Sequence, residues 1–299
     1  MKIGVAGTGR MGTAIALRLL DQGYDVAVWN RSPEKTATAA LAGAVVTATA
    51  AELAEASDQV ISILTNAAAM HAVYTGKGGL LAADVTGKLF VEMSTVRGAE
   101  HTALVDRVQA KDALFLECPV SGTVKPAREG TLVGFAGGMP QAFAAAKPLL
   151  ERLCRRVELV GPVGAGANMK LAANLLLTVF WQALAEAFSL LDALPTQPRQ
   201  LLDLLADSNI GAAILKVRGP QLAAALEGEA AGPASFDIDF MRKDLRDMLD
   251  EAQALGVALP LAALTLRSFD EASRAGAGKI DGTGYPAWWI DHARETEPA

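Results

Sequence analysis

The sequence predicts two domains: a doubly wound α/β domain over residues 1–162, then an all-α domain over residues 163–299 that begins with a long interdomain helix. Up to Pro162, short strand-like runs alternate with helical patterns, which is typical of a parallel sheet covered by helices. After a glycine-rich stretch at 161–166, helical periodicity continues almost to the end. A Gly-x-Gly-x-x-Gly pattern at residues 7–12 separates the first strand-like run from the first helical one.

The predicted strands of the first domain are short apolar runs bounded by turn formers. They cover residues 2–6, 26–29, 59–64, 89–93, 113–117, 132–136 and 157–160. Helices between them start near Pro33, Ala67, Ala99 and Pro140. Both prolines are placed where the first helical turn tolerates a missing amide.

The glycine pattern predicts a dinucleotide site. Its first two glycines let the backbone turn tightly and approach a pyrophosphate, and the third lets the helix pack closely on the strand, which leaves N-terminal amides to hold phosphate. The pattern alone is weak, but its position between strand and helix predicts a Rossmann-type unit. The predicted cofactor-binding residues of this turn are Gly7, Thr8, Gly9, Arg10, Met11 and Gly12.

The residues after the second strand favour NADP(H) over NAD(H). An acidic residue at this position would bind the ribose hydroxyls of NAD and repel a 2'-phosphate. The sequence instead has Asn30, Arg31 and Ser32, a guanidinium and two neutral hydrogen-bonding groups. In isolation Arg31 would be a solvated loop cation, but its place at the end of a second strand favours phosphate recognition.

Composition excludes several classes of protein. The chain has 299 residues, 51% hydrophobic and 20% charged, which is enough to bury a core and excludes wholesale disorder. A net charge of -6 disfavours nucleic-acid or anionic-membrane partners. Cys118 and Cys154 lack the number and spacing of a disulfide framework or zinc site, and the three histidines are scattered, so no metal is predicted.

A cytoplasmic location is predicted for two reasons. The glycine turn with Arg10 interrupts any apolar core of a signal peptide. The most membrane-like stretch, residues 169–194, carries charged and amide side chains, so it is predicted to be a buried helix of a soluble protein.

The same helix, predicted over 168–194, carries a polar stripe. Polar residues recur at every fourth position, so consecutive members share a face. They are Lys170, Asn174, Thr178, Gln182 and Glu186. Burial would lower the pKa of Lys170 toward the range of a proton donor and acceptor, and Asn174 could hold it or a substrate oxygen. Alternatively, Lys170 snorkels to solvent and Asn174 binds a neighbouring carbonyl; spacing alone leaves both open.

Three other strand ends carry small polar residues, where open α/β sheets bind ligands. Ser121 and Thr123 hydroxyls with amides around Gly122 would form a donor cluster for a carboxylate, although this segment could equally be an ordinary turn. The segments 63–66 and 90–95 place Leu64, Thr65 and Thr95 where they could contact the cofactor. By spacing alone, Lys243 is a solvated residue with Asp239 and Asp247 as exposed partners.

Five ordered motifs together resemble the β-hydroxyacid dehydrogenase family, which includes 3-hydroxyisobutyrate dehydrogenases. They are the glycine turn, Glu92-Met93-Ser94-Thr95, Pro119-Val120-Ser121-Gly122 with Gly130-Thr131-Leu132, Gly164-x-Gly166 followed by Lys170 and Asn174, and Lys243-Asp244-Leu245. The resemblance covers nearly the whole chain. It implies that Lys170 is the catalytic acid/base, with Asn174 beside it in substrate binding. It also implies that Ser121 and Gly122 cradle a carboxylate, and that Thr95 and Lys243 lie at the nicotinamide end of the cofactor.

Finer details look most like the glyoxylate/succinic semialdehyde reductase branch. These are Thr123 in place of a second glycine, the following Lys125-Pro126-Ala127, and the Asn30-Arg31-Ser32 segment. Departures are Ala173 where several relatives have asparagine, Val124 where that branch is often basic, and the 285–289 ending. The predicted function is NADP-dependent interconversion of a small hydroxy acid and its oxo acid.

Two alternatives remain open at this point. An imine reductase would share the architecture and cofactor, although Lys170 disfavours it, and a non-catalytic NADP-binding sensor or scaffold would share only the fold. The predicted partners are a small carboxylate-bearing substrate and further copies of the chain, as a homodimer or higher homo-oligomer, with neither nucleic acid nor membrane.

Overall fold

A computed structural model describes residues 1–208, 213–229 and 233–293. The chain divides into two compact units, Met1–Ala173 and Asn174–Ala299, which we call the first and the second unit. The first unit is a sheet covered by helices, and the described part of the second unit is helical apart from one isolated bridge between Asp237 and Asp281. The predicted fold class is therefore confirmed.

The sheet of the first unit has nine strands. They are β1 (Lys2–Ala6), β2 (Asp25–Trp29), β3 (Val45–Val46), β4 (Gln59–Ser62), β5 (Leu89–Glu92), β6 (Leu114–Glu117), β7 (Val120–Ser121), β8 (Leu132–Gly138) and β9 (Cys154–Gly161). The order is β3-β2-β1-β4-β5-β6-β8-β7, with β9 paired to β8. From β3 to β6 all pairs are parallel, the order of a doubly wound dinucleotide-binding sheet.

Two features of the sheet depart from the sequence prediction. The two-residue strands β3 and β7 are too short to give an alternating pattern, so neither was predicted. The pairs of β8 with β6 and β7 are antiparallel, because the chain reverses through a six-residue helix at Val124–Glu129 instead of a long crossover. β9 then runs parallel to β8.

Thirteen α-helices are present in the described residues. They are α1 (Arg10–Asp21), α2 (Ala37–Leu41), α3 (Ala50–Glu55), α4 (Ala67–Thr75), α5 (Gly98–Gln109), α6 (Val124–Glu129), α7 (Pro140–Leu153), α8 (Ala165–Leu191), α9 (Pro198–Asp207), α10 (Ala213–Leu226), α11 (Ile238–Leu255), α12 (Pro260–Arg274) and α13 (Tyr285–Ala293). Pro33, predicted as a helix start, opens the short 3₁₀ helix Pro33–Thr36, and Pro140 opens α7. The interdomain helix α8 begins three residues before its predicted start.

The core of the first unit lies on both faces of its sheet. Alternation along β1 places Ile3 and Val5 in one apolar cluster with Ile15 and Leu19 of α1, and Ala6 in the cluster on the other face. Strands β1, β4 and β5 are buried along most of their length, so their polar loops meet solvent after the strand ends.

The second unit is built on apolar helix faces. Met241, Leu245, Met248 and Ala252, spaced three and four residues apart, are buried on one face of α11. Tyr285 is fully buried, and its hydroxyl donates to Oε1 of Gln182 at 2.5 Å. By length and composition alone α8 could also cross a membrane, and 44% of its most apolar window is buried within the protein.

Candidate active site

The glycine turn between β1 and α1 is shaped by contacts that exclude side chains. Gly7 has a φ of +98°, and its amide donates to the carbonyl of Trp29 at 2.8 Å. A Cβ at Gly12 would lie 1.8 Å from the Gly7 carbonyl oxygen, whereas a Cβ at Gly9 would meet nothing within 4 Å. Gly7 and Gly12 therefore hold the turn together, and Gly9 leaves open space beside it.

This turn fits the pyrophosphate of a dinucleotide. No side chain caps the N-terminus of α1, and its first turn contains no acidic residue that would repel an anion. The hydroxyl of Thr8 is buried without a hydrogen-bond partner among the described residues. Arg10 and Met11 follow as the first two residues of the helix. Backbone amides at a helix N-terminus are the donors that phosphate oxygens require.

Asn30 joins the end of β2 to the glycine turn. Its Oδ1 accepts from the Thr8 amide at 3.1 Å, and its Nδ2 donates to the Ser32 carbonyl at 2.9 Å. Both ends of the Asn30 amide are thus used to shape the loop. Arg31 is exposed and Ser32 half-buried beside it. Arg31 is thus an exposed cation on a loop whose conformation Asn30 sets.

A buried carboxyl organises the ends of β4 and β5. Glu92 accepts from the Ser94 amide at 2.7 Å and from the Ser62 hydroxyl, which also bonds to Tyr74. The Ser94 hydroxyl accepts from the amide of Leu64 at 2.7 Å. Burial raises the pKa of Glu92 to about 7, although hydrogen bonds from Ser62 and Ser94 oppose the shift.

This network places three residues predicted to contact the cofactor at neighbouring strand ends. Leu64 and Thr65 follow β4, and Thr95 follows Ser94 after β5. Thr65 is exposed, while Leu64 and Thr95 are half-buried. The hydrogen bond from the Leu64 amide to the Ser94 hydroxyl fixes the two loops relative to each other.

The predicted carboxylate cradle lies between β7 and α6. Ser121 ends β7, where it pairs with Val133 of β8, and Thr123 immediately precedes α6. Gly122 has a φ of +132°, and a Cβ there would lie 2.6 Å from the Leu132 side chain. Only glycine fits this turn, so Ser121 and Thr123 are held in fixed positions on either side of it.

Helix α8 presents Lys170 and Asn174 on one face, four residues apart. Their exposed fractions are only 8% and 6%. Asn174 Nδ2 donates to Oδ2 of Asp244 on α11 at 2.7 Å. Further along the stripe, the Thr178 hydroxyl donates to the Asn174 carbonyl at 3.0 Å.

Lys243 is a fixed cation in the second unit. Its Nζ lies 2.9 Å from Asp247 and 3.2 Å from Asp244. Burial alone would lower its pKa, but the two carboxylates raise it above the ordinary value, so Lys243 stays protonated at neutral pH. The predicted pairing with Asp247 is present, but the prediction of a solvated lysine with exposed partners is wrong, because the Lys243 and Asp247 side chains are each only 23% exposed. Asp239, the other predicted partner, instead accepts from Arg242 at 2.9 Å.

Three buried acidic residues have no role that the sequence patterns predict. Glu92 supports the loops after β4 and β5, Glu117 accepts from amides at the start of α8, and Asp244 orients Asn174. Each is buried and acidic at a strand end or on an apolar helix face. An acidic residue within an apolar strand end or helix face therefore indicates a structural or functional role, because a buried carboxylate requires a specific partner.

Family models match nearly the whole chain. Residues 2–161 match the NAD binding domain of 6-phosphogluconate dehydrogenase. Residues 164–286 match the NAD-binding domain of NADP-dependent 3-hydroxyisobutyrate dehydrogenase.

Two curated relatives align over most of their length. Glyoxylate/succinic semialdehyde reductase 1 of Arabidopsis thaliana is 31% identical over 94% of this chain and 96% of the relative. The 3-hydroxyisobutyrate dehydrogenase of Pseudomonas aeruginosa is 32% identical over 92% of this chain and 93% of the relative.

Two solved structures are similar to this chain over nearly its whole length. The 3-hydroxyisobutyrate dehydrogenase of Mycobacterium tuberculosis with L-serine has a TM-score of 0.84 at 26% identity, over 98% of this chain and 99% of that one. Psf3 in complex with NADP+ and 2-OPP has a TM-score of 0.85 at 27% identity, over 96% and 99%. An imine reductase from Pseudomonas sp. has a TM-score of 0.60 at 21% identity over 97% and 99%, a likeness of fold alone.

The chain belongs to the β-hydroxyacid dehydrogenase family, and it is an NAD(P)-binding oxidoreductase related to 3-hydroxyisobutyrate dehydrogenase and to the glyoxylate/succinic semialdehyde reductases.

Proposed function

We propose that this protein is an NADP-dependent reductase of small oxo acids, with glyoxylate and succinic semialdehyde as the first candidates, and that Lys170 is its general acid. The observation that carries the proposal is the pair Lys170 and Asn174, both buried and on one face of α8. A buried ammonium is costly unless it is paired and hydrogen-bonded, and such a held ammonium is suited to donate a proton. The likeness to the Arabidopsis reductase supports the substrate class.

In the proposed reaction, NADPH supplies the hydride that becomes the new C–H bond of the alcohol. Lys170 donates a proton from Nζ to the carbonyl oxygen as negative charge develops there, and its amine recovers the proton when the alcohol is oxidised. Asn174 Nδ2, which donates one N–H to Asp244, would donate its other N–H to the same oxygen. A positioned acid/base group contributes typically about 10²- to 10⁴-fold to rate.

Substrate choice would depend on the carboxylate cradle. The Ser121 and Thr123 hydroxyls with the amides around Gly122 offer hydrogen bonds to a carboxylate without a cationic side chain. Val124 follows them, so this cradle is less basic than a lysine or arginine would make it. We expect a preference for short oxo acids that carry one carboxylate.

The cofactor proposal rests on the loop after β2. Arg31 is exposed beside an Asn30 that shapes the loop, and no acidic side chain stands at the end of β2. These features favour NADPH over NADH. Arg10 at the start of α1 adds a second cation near the phosphates.

The test measures NADPH consumption by absorbance with glyoxylate, succinic semialdehyde, tartronate semialdehyde, methylmalonate semialdehyde and a cyclic imine. We expect turnover with at least one oxo acid, and loss of about 10²- to 10⁴-fold in kcat for Lys170→Ala with NADPH affinity unchanged. Lys147→Ala, on an exposed lysine paired with Glu151, is the control. Turnover of the imine alone would make the protein an imine reductase. No turnover with any of these substrates would reject the proposed function.

We further propose a soluble, cytoplasmic homodimer or higher homo-oligomer. Large apolar side chains on α8 are exposed in the single chain, with Leu176 at 74% and Leu190 at 85%. Cys118 and Cys154 are free buried thiols, which fits a reducing compartment. Light scattering after size exclusion measures the subunit number.

A further inference from the structure

The side chain of Glu117 reaches from the end of β6 to the start of α8. Its Oε1 accepts from the amides of Gly164 at 2.8 Å, Gly166 at 2.7 Å and Ala167 at 3.4 Å. The residue is fully buried, and all of these groups belong to the first unit. One carboxylate thus satisfies amides that the first turn of a helix otherwise leaves without partners.

Two glycines form the space around this carboxylate. A Cβ at Gly137 would lie 2.1 Å from the Glu117 Oε1, and a Cβ at Gly166 would lie 2.3 Å from the Phe135 carbonyl oxygen. The start of α8 therefore lies directly against the backbone of β8. Such close approach leaves the first turn of the helix little freedom to shift or rotate.

Lys170 follows Gly166 by four residues, which is about one helical turn and a rise of about 6 Å. A shift or rotation of the first turn would also move the ammonium of Lys170, because both belong to one continuous helix. We propose that Glu117 is a positioning residue for Lys170, whose ionised carboxylate fixes the first turn of α8 at the end of β6 and so sets where the lysine ammonium lies. This inference rests on the proposed role of Lys170.

The second oxygen of Glu117 faces a histidine. Its Oε2 lies 3.5 Å from Nε2 of His101 on α5, and both side chains are fully buried. Burial lowers the pKa of His101 to about 3, so the imidazole is neutral at physiological pH and supplies no positive charge to Glu117. The other titratable groups acting on this carboxyl are Glu92 and Cys118. The first turn of α8 contains no acidic side chain.

The charge of Glu117 consequently depends on pH near neutrality. Burial raises its pKa to about 7, while the amides of Gly166 and Gly164 oppose the shift. Above that pH the carboxylate makes charge-assisted hydrogen bonds to α8, and below it the neutral acid makes weaker ones. The hydrogen bonds that hold α8 should therefore strengthen as the pH rises through 7, while the cost of burying the charge lowers the free energy of unfolding over the same range.

The test compares Glu117→Gln with a control of similar structural cost. Lys88 donates to the carbonyls of Ala54, Ser57 and Glu55 at 2.7, 2.8 and 3.0 Å, and so caps the end of α3, which carries none of the site residues. Lys88→Met loses three charge-assisted bonds at a helix end in the same unit. Thermal unfolding should show a comparable loss of stability in the two variants.

We expect Glu117→Gln to lower kcat about tenfold at pH 8 with the Kd for NADPH within twofold, whereas Lys88→Met keeps kcat within twofold. The ratio of wild-type to Glu117→Gln kcat should shrink as the pH falls from 8 to 6. Should Glu117→Gln fail to fold, Glu117→Asp keeps the charge but shortens the reach, and we expect a similar loss. Equal kcat in wild type and variant, or a ratio independent of pH, would overturn the inference.

Amide hydrogen exchange separates this inference from the proposed function. Peptides covering residues 160–173 should exchange faster in Glu117→Gln than in wild type and Lys88→Met, whatever the substrate proves to be. A wild-type protein with no reductase activity would reject the proposed function alone. Unchanged exchange in these peptides would reject the anchoring by Glu117.

Discussion

The side-chain amide of Asn174 donates a hydrogen bond to Oδ2 of Asp244, 2.7 Å away and 70 residues later in the chain. The other carboxylate oxygen of Asp244 lies 3.2 Å from the ammonium of Lys243. One buried carboxylate thus orients two residues of the candidate site. With its Nδ2 bound to Asp244, Asn174 has its amide oxygen in a defined direction.

The first prediction concerns this carboxylate. We expect Asp244→Asn to lower kcat/KM about 10- to 100-fold, because loss of a charge-assisted hydrogen bond costs roughly 1.5–3 kcal/mol and frees Asn174 to rotate. Asp250→Asn, on an exposed residue of the same helix, is the control. Steady-state kinetics with the best oxo acid measures the effect, and equal losses in both variants would contradict an orienting role for Asp244.

The second prediction concerns cofactor choice. Arg31→Ala should weaken the binding of NADPH about 10- to 100-fold and that of NADH little, because only NADPH carries the 2'-phosphate that the guanidinium would bind. Lys35→Ala, on another exposed cation of the following 3₁₀ helix, should change neither affinity. Fluorescence titration with both cofactors measures the two dissociation constants. An equal loss of affinity for NADPH and NADH in Arg31→Ala would show that Arg31 does not bind the 2'-phosphate.

The third prediction separates two glycines of the same turn. A methyl group at Gly12 would collide with the Gly7 carbonyl, whereas one at Gly9 would enter open space. We expect Gly12→Ala to lower the melting temperature by several degrees, which corresponds to about 1 kcal/mol or more. Gly9→Ala should leave stability nearly unchanged. It should weaken the binding of both NADPH and NADH at least about tenfold, because its methyl group would lie where the pyrophosphate approaches the backbone.

Thermal unfolding without cofactor and binding titrations distinguish the two effects. Tight NADPH binding by a stable Gly9→Ala variant would show that the pyrophosphate does not approach this side of the turn.

The fourth prediction concerns the pH dependence of stability. The pKa of Glu92 is raised from 4.5 to about 7 by burial, so the native state binds more protons than the unfolded chain between these values. Its stabilising contribution is therefore fully present below about pH 4.5 and is lost as the pH rises through 7. Between about pH 4.5 and 7, we expect the free energy of unfolding to fall by up to about 1.4 kcal/mol per pH unit for each buried carboxyl whose pKa is raised in this way.

Glu92→Gln should remove the slope that comes from Glu92. Glu117, whose pKa is also raised to about 7, contributes with the same sign, so the double variant Glu92→Gln/Glu117→Gln should have the flattest profile. Urea unfolding at pH 5, 6, 7 and 8 measures the slopes. A constant difference between wild type and Glu92→Gln across this range would contradict the prediction.

Local sequence patterns determined much of the fold and the identity of several candidate residues. The glycine spacing at 7–12 specifies the turn because it acts through backbone conformation within six residues. The four-residue interval between Lys170 and Asn174 specifies a common face once the segment is helical. Such information lies within one or two turns of chain, so it can be recovered without knowing the tertiary contacts.

Tertiary structure alone decided what holds those residues in place. Glu117 binds amides 47 and 49 residues away, and the bond from Asn174 to Asp244 spans 70 residues, so no local pattern relates the partners. The antiparallel direction of β8 likewise depends on how the chain reverses through α6. Periodicity specifies which side chains are buried on an element, whereas the position of the elements determines which buried carboxyl meets which helix end or amide.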